Sequence, residues 1–172
     1  MTLLANVLLF QAGWFACVLG AARGLPWLGL VALTVIVGRH LARAARPARE
    51  LALVAAAAIL GALFETLLVR LALVRFDSGM LFEATAPYWM VALWAIFATT
   101  LNVSLRRLRT HLGLAALLGA VGGPLAYHAG AMLGAIEFTA AVPALVAIAC
   151  GWAILTPVLF GAARHLDGYA PQ

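Results

Sequence analysis

Charge is what this sequence has least of. Asp, Glu, Lys and Arg together make 10% of the residues, against about a quarter in a soluble domain, and lysine is absent altogether. With 66% hydrophobic residues and a mean hydropathy of +1.07, an ordinary water-solvated surface is excluded and an integral membrane protein is expected. Cysteine is also scarce: Cys17 and Cys150 both fall inside apolar runs, match no zinc spacing and read as small hydrophobes, so neither supports redox or metal chemistry. A zinc-protease motif, a nucleotide-binding glycine loop, a Ser-His-Asp arrangement and a histidine-rich desaturase pattern are all missing, so no catalytic residue, metal ligand or cofactor is assigned. Nucleic acid is excluded as a partner, because the basic residues stand at the ends of apolar segments and not on a water-facing surface with aromatics between them. The N-terminus has no basic n-region, and Trp14-Phe15-Ala16 ahead of Cys17 is a poor lipoprotein cleavage context. The first apolar segment is therefore read as retained.

What is present is a series of apolar runs. A crossing needs about 20 residues, so 172 residues have room for six helices on short loops and no added soluble domain. The fold class expected is all-α, a polytopic bundle forming a single integral membrane domain over 1–172, with transmembrane helices over about 3–22, 26–42, 51–74, 87–105, 112–133 and 143–163. Gly24 and Pro26 punctuate the first turn, and Pro87 and Pro143 open helices in positions that tolerate a missing N–H. Of the arginines, Arg39, Arg43, Arg46, Arg49, Arg106, Arg107, Arg109 and Arg164 fall on one side of these helices and Arg23, Arg70 and Arg75 on the other. The positive-inside rule then places both termini in the cytoplasm, and Asp77, Glu83 and Glu137 on the outer face. A strongly basic inner rim attracts anionic lipid headgroups without any specific ligand.

The polar interior is read from helical wheels. Gly119, Gly123, Ala126, Gly130 and Gly134 lie on one narrow stripe, a helix-packing face that lets a neighbouring backbone approach closely. Glu65 sits among Val54, Ala58, Gly61, Ala62, Val69 and Ala72, so it faces the bundle interior, with Gly61 as a further packing position. An intramembrane carboxyl is a functional candidate by default, its bland alternative being an interhelical hydrogen bond. Tyr127 flanks the glycine stripe and His128 lies on its back, turning inward only if Pro124 bends the helix. These three residues, Glu65, Tyr127 and His128, are the candidate substrate-binding set. The glycine-rich helix is expected to pack against the helix of Glu65, with Tyr127 reaching the carboxyl. A second polar set, Asn6, Asn102 and Thr156, is expected as an inner cluster toward the cytoplasmic side, bonding across helices. His40, His111 and His165 sit beside basic residues at cytoplasmic helix ends and read as solvated interface residues, not as a metal site.

The runs Asn6–Gly20, Pro87–Leu105 and Gly119–Gly134 resemble a family of small bacterial inner-membrane proteins known as a domain of unknown function. The resemblance spans nearly the whole chain and implies a six-helix, multi-pass protein of the bacterial inner membrane. It brings no activity and no catalytic residues. Glu65 stands where such proteins carry an acidic residue, often aspartate, whereas His128 matches no position of the family pattern. Three classes of function are weighed. The first is a binding or transport protein with a site in the outer half of the bundle; the second is a lipid-handling enzyme or its accessory; the third is a structural subunit of a membrane complex or a homo-oligomer.

Overall fold

The computed structural model describes residues 2–169. Six α-helices follow one another: α1 (Leu3–Ala22), α2 (Leu28–Leu41), α3 (Pro47–Arg70), α4 (Tyr88–Leu101), α5 (Leu112–Met132) and α6 (Ala141–His165). Among the described residues the only sheet is an antiparallel pair of two-residue strands, β1 (Val74–Arg75) and β2 (Glu137–Phe138), with an exposed Arg75–Glu137 ion pair at 3.3 Å. Helices α1, α3, α5 and α6 are long and apolar enough to cross a membrane, while α2 and α4 are apolar but have 14 residues each. At 1.5 Å per residue such a helix reaches about 21 Å, short of a hydrocarbon core of about 30 Å. Large apolar side chains on the outer faces of the long helices stay uncovered, Leu63 64%, Leu125 63% and Ile154 65% exposed, as a bilayer-facing surface requires.

Loops collect at two ends. At one, β1 pairs with β2 and the Ser78 hydroxyl donates to the Ala21 carbonyl at 3.0 Å, which brings the α1–α2, α3–α4 and α5–α6 connections together. At the other, the Arg46 N–H donates to the Gly168 carbonyl at 2.9 Å and Arg106 pairs with Asp167 at 2.7 Å, joining the α2–α3 loop, the α4–α5 connector and the C-terminal segment.

Helix bounds differ from expectation for local reasons. Helix α3 starts at Pro47 and not at residue 51, because Pro at the first position is preset for a helix and gives up an N–H that would be unpaired anyway. It ends at Arg70, short of residue 74, in a Schellman cap: the Leu73 N–H reaches the Leu68 carbonyl, the Ala72 N–H reaches that of Val69, and Ala72 takes φ +51°. Helix α4 stops at Leu101, short of 105, as the Thr99 and Thr100 hydroxyls donate back to the Ile96 and Phe97 carbonyls, both at 2.7 Å. Such back-bonding competes with the helix, and a 3-10 turn, Arg106–Thr110, follows. Helix α2 begins at Leu28, two residues late, after the turn through Pro26 and Trp27. Helix α6 begins at Ala141, two residues early, with Pro143 inside its first turn.

Helix α4 is the centre of the fold. Ten of its 14 residues are buried, against α1, α2 and α3 on three sides and α6 on a fourth. Helices α5 and α6 pair most extensively with each other, and that hairpin leans on α3 through α6, where Gly151 receives the Phe64 ring. Helices α1 and α5 do not pack along their length, which leaves a cleft between them with α4 and α6 as its floor.

Candidate functional site

Glu65 lies on the buried face of α3, which also carries Leu53, Val54, Ala57, Gly61 and Leu68, and is itself fully buried. One turn earlier, Gly61 lets the Trp94 indole lie against the α3 backbone; any Cβ at position 61 would stand inside that ring. The placement aims the Trp94 N–H at Glu65, to whose Oε1 it donates at 2.8 Å, and the Tyr127 hydroxyl from α5 donates to the same oxygen. Oε2 of Glu65 has no partner among the described residues. Trp94 in turn stacks on Trp152 of α6, ring centroids 4.5 Å apart and 24° from parallel, with Phe64 and Phe97 edge-on to this pair at 6.1 and 5.5 Å. The carboxyl thus sits behind an aromatic wall built by three helices.

The glycine stripe is used on the other side of that wall. Gly119 meets the Thr156 hydroxyl and the Trp152 carbonyl, Gly123 meets the Trp152 ring, Gly130 meets Ile136, and Ala126 lines the cleft. Gly119 and Gly123 therefore pack α5 onto α6, not onto α3 as expected; between α5 and α3 stand the rings of Phe64, Trp94 and Trp152. Tyr127 still reaches Glu65, from beside the stripe. Gly134 is not a packing residue: at φ +84° it is the left-handed residue of a Schellman cap that ends α5, and nothing lies near where its side chain would be. His128 is exposed on the outer side of α5, which runs unbroken through Pro124, so the structure does not bring it to Glu65.

An apolar cavity of about 60 Å³, bordered by Trp94, Tyr127, Trp152 and Ile136, lies in front of the wall. It shares Phe10, Trp14, Phe97, Ala126 and Trp152 with the cleft between α1 and α5, whose volume is about 550 Å³. Thr156 Oγ1, buried at this cleft, has no hydrogen-bond partner among the described residues, and the buried Trp152 Nε1 faces the Tyr127 hydroxyl without closing a hydrogen bond of normal geometry. The arrangement can accept a chain of apolar groups and offer it one fixed donor, one hydroxyl and, behind Tyr127, a carboxyl oxygen.

Asn6, Asn102 and Thr156 do not form one cluster. Asn6, fully buried between α1 and α4, donates to the Thr99 carbonyl at 3.1 Å and accepts from the Ser104 N–H at 3.2 Å, closing the frayed end of α4. Thr156 faces Gly119, and Asn102 belongs to a network that the sequence reasoning missed, centred on Glu50. Glu50 Oε1 accepts from Asn102 Nδ2 at 2.8 Å and from the Gly168 N–H at 2.6 Å, and Oε2 meets His40 Nε2 at 2.8 Å. His40 and Glu50 are both fully buried, so His40 is not the solvated interface residue expected; His111 and His165 are exposed. The second His40 nitrogen meets the Tyr169 hydroxyl at 3.0 Å, and Arg109 donates to Asn102 Oδ1 at 2.7 Å and to Asp167 at 3.1 Å. Burial first, then the Glu50 carboxylate, push the Tyr169 phenol up to about 12, with Arg43 opposing. Every polar atom of the Glu50 and His40 side chains is engaged, so this network latches the C-terminal segment and has no atom free for a substrate. No group of three His, Cys, Asp or Glu able to hold a metal occurs among the described residues.

A family model described as a protein of unknown function, DUF2878, matches residues 3–158. The chain belongs to this family. The DUF2878 match takes in α1 through most of α6, and with them Glu65, Trp94, Tyr127, Trp152 and Thr156; the latch residues Asp167, Gly168 and Tyr169 lie beyond it. No curated protein and no solved structure matches the chain.

Proposed function

We propose that this DUF2878 protein is a single-domain, six-span protein of the bacterial inner membrane, both termini cytoplasmic, that binds or transports a small amphipathic substrate. The substrate enters the cleft between α1 and α5 and is held at Trp152, Thr156 and the Glu65–Tyr127–Trp94 group. One observation carries this reading: two buried polar atoms of residues that line the cleft, Trp152 Nε1 and Thr156 Oγ1, go unpaired, and Glu65 Oε2, behind the aromatic wall, is unpaired as well. A buried polar atom left without a partner costs about 1–3 kcal/mol, so the two at the cleft call for a molecule that supplies their bonds. Because an indole N–H only donates, the substrate carries an acceptor atom next to its apolar part.

The two 14-residue helices span with the help of their flanks, α2 through the Leu25–Trp27 turn and α4 through the turns at Val103–Leu105. The arginine imbalance supports the orientation, and the basic inner end attracts anionic headgroups. A lipid-handling enzyme is favoured less. Among the described residues the only histidine–carboxylate pair is His40–Glu50, and it is closed by Tyr169, Asn102 and Gly168.

Alkaline phosphatase fused after Gly79 is expected to be active and fused after Arg43 inactive; the reverse would overturn the topology. Native mass spectrometry of the detergent-purified chain is expected to find a co-purifying molecule that a folded Glu65→Ala variant loses. Equal occupancy in both would remove Glu65 from the site.

A further inference from the structure

A second cavity, of about 360 Å³, opens at the end of the molecule opposite β1 and β2, lined by Arg46, Arg49, Arg106, Asp167, Gly168 and Tyr169. Three arginines line it with one carboxylate. That carboxylate is already neutralised twice, by Arg106 at 2.7 Å and by Arg109 at 3.1 Å. Arg46 and Arg49 make no ion pair among the described residues, so both charges remain available at the cavity. The backbone that carries them is held in place, and so is one of the three guanidinium groups. Arg46 is anchored by its backbone N–H to the Gly168 carbonyl at 2.9 Å, the Arg49 N–H closes on the Arg46 carbonyl at 3.1 Å, and Arg106 is fixed by Asp167. Beneath them the fully buried Glu50 ties the same backbone down through Gly168.

Guanidinium is the side chain whose planar donors match the oxygens of a phosphate in pairs, and Arg106, already fixed by Asp167, loses little further freedom on binding one. We propose that this cavity is a phosphate-binding site, taking the tetrahedral oxyanion of either an anionic lipid headgroup or a free phosphate. It stands apart from the Glu65 cleft and does not depend on what that cleft binds. For the lipid source, phosphatidylglycerol fits better than phosphatidylcholine, whose trimethylammonium would be brought against the same arginines.

The test uses the full chain in neutral detergent with two probes: phosphatidylglycerol or phosphatidylcholine titrated into the micelles and counted by native mass spectrometry, and inorganic phosphate followed by thermal shift. The wild type is expected to retain phosphatidylglycerol about tenfold better than phosphatidylcholine. Arg46→Gln/Arg49→Gln is expected to lose that preference, and Arg23→Gln, at the other end of the chain's arginine distribution, to keep it. If the double variant does not fold, Arg49→Gln alone is expected to weaken retention about tenfold, as loss of one charge-assisted contact does. Stabilisation by inorganic phosphate with the same arginine dependence, and no lipid preference, would assign the site to a soluble phosphate. If neither probe distinguishes the wild type from the folded arginine variant, the proposal is overturned.

Discussion

Replacing Glu50 by alanine removes the hydrogen-bond partner of three buried groups at once: Asn102 Nδ2 at 2.8 Å, the Gly168 N–H at 2.6 Å and His40 Nε2 at 2.8 Å. Leaving a buried polar group unpaired costs about 1–3 kcal/mol, so three such groups bound the loss at about 3–9 kcal/mol. Some of this relaxes as water follows the released C-terminal segment, so a total of about 3–5 kcal/mol is expected for Glu50→Ala. For a chain of this size each kcal/mol moves Tm by about 2–4 °C, which gives a drop of about 6–20 °C in detergent. Glu50→Gln sets the scale. Its amide oxygen can still accept from Asn102 and Gly168, and its NH2 can donate to His40, so a loss of about 1–2 kcal/mol is expected. The assay is thermal unfolding by circular dichroism, with carboxypeptidase trimming as a readout of whether the segment around Tyr169 stays docked. A Glu50→Ala protein melting within 2 °C of the wild type and trimmed at the same rate would refute the assignment of this carboxylate as the hub.

Gly61→Val places a side chain inside the Trp94 ring and is expected to destabilise by about 1–3 kcal/mol or more, with a shift in tryptophan emission; an unchanged spectrum would contradict the packing described. Tyr127→Phe and Trp94→Phe each remove one donor to Glu65 Oε1, at about 1 kcal/mol apiece, and in a double-mutant cycle their losses are expected to depart from additivity because they share one acceptor. Tyr169 titrates at about 12 when docked, against an ordinary phenol near 10. A raised folded-state value means that its contribution is complete below pH 10 and is lost as pH rises from 10 through 12. Docking of the C-terminal segment, followed by trimming, is expected to weaken over that window in the wild type and to show no such dependence in Tyr169→Phe.

The apolar runs made the six helices legible, since their spacing survives any detail of packing. Their ends were less so: Ala72, which closes α3, adopts a left-handed conformation that an alanine seldom takes, and nothing in its neighbours announces it. Glu65 could be aimed inward because small residues surround it on the wheel, and Tyr127 because it flanks the stripe. The partner of that stripe could not be read, as the wheel gives a face but not which of five other helices fills it. Glu50 was lost among Arg43, Arg46 and Arg49, where a carboxylate passes for a solvated counter-charge. Yet it lies on the same buried stripe as Leu53, Val54, Ala57, Gly61 and Glu65, and extending the wheel from Glu65 back to Pro47 would have found it. His40 carries a similar signal, one turn from the buried Ile36 on α2. Trp152 and Thr156 were harder, because their importance comes from being left unpaired, which only the packed structure reveals.

The most direct measurement of the central claim is a photo-crosslink from inside the cleft. Gly122 lines it and has open space where a side chain would extend, so a benzophenone amino acid can be carried there; Val158, exposed on α6 outside the cleft, serves as control. Irradiation in native membranes followed by intact-mass analysis is predicted to give one discrete adduct at position 122, greatly reduced in a Trp152→Phe/Thr156→Val background, and only mixed bulk phospholipid at position 158. The same bulk lipid mixture at both positions, indifferent to Trp152 and Thr156, would contradict the account.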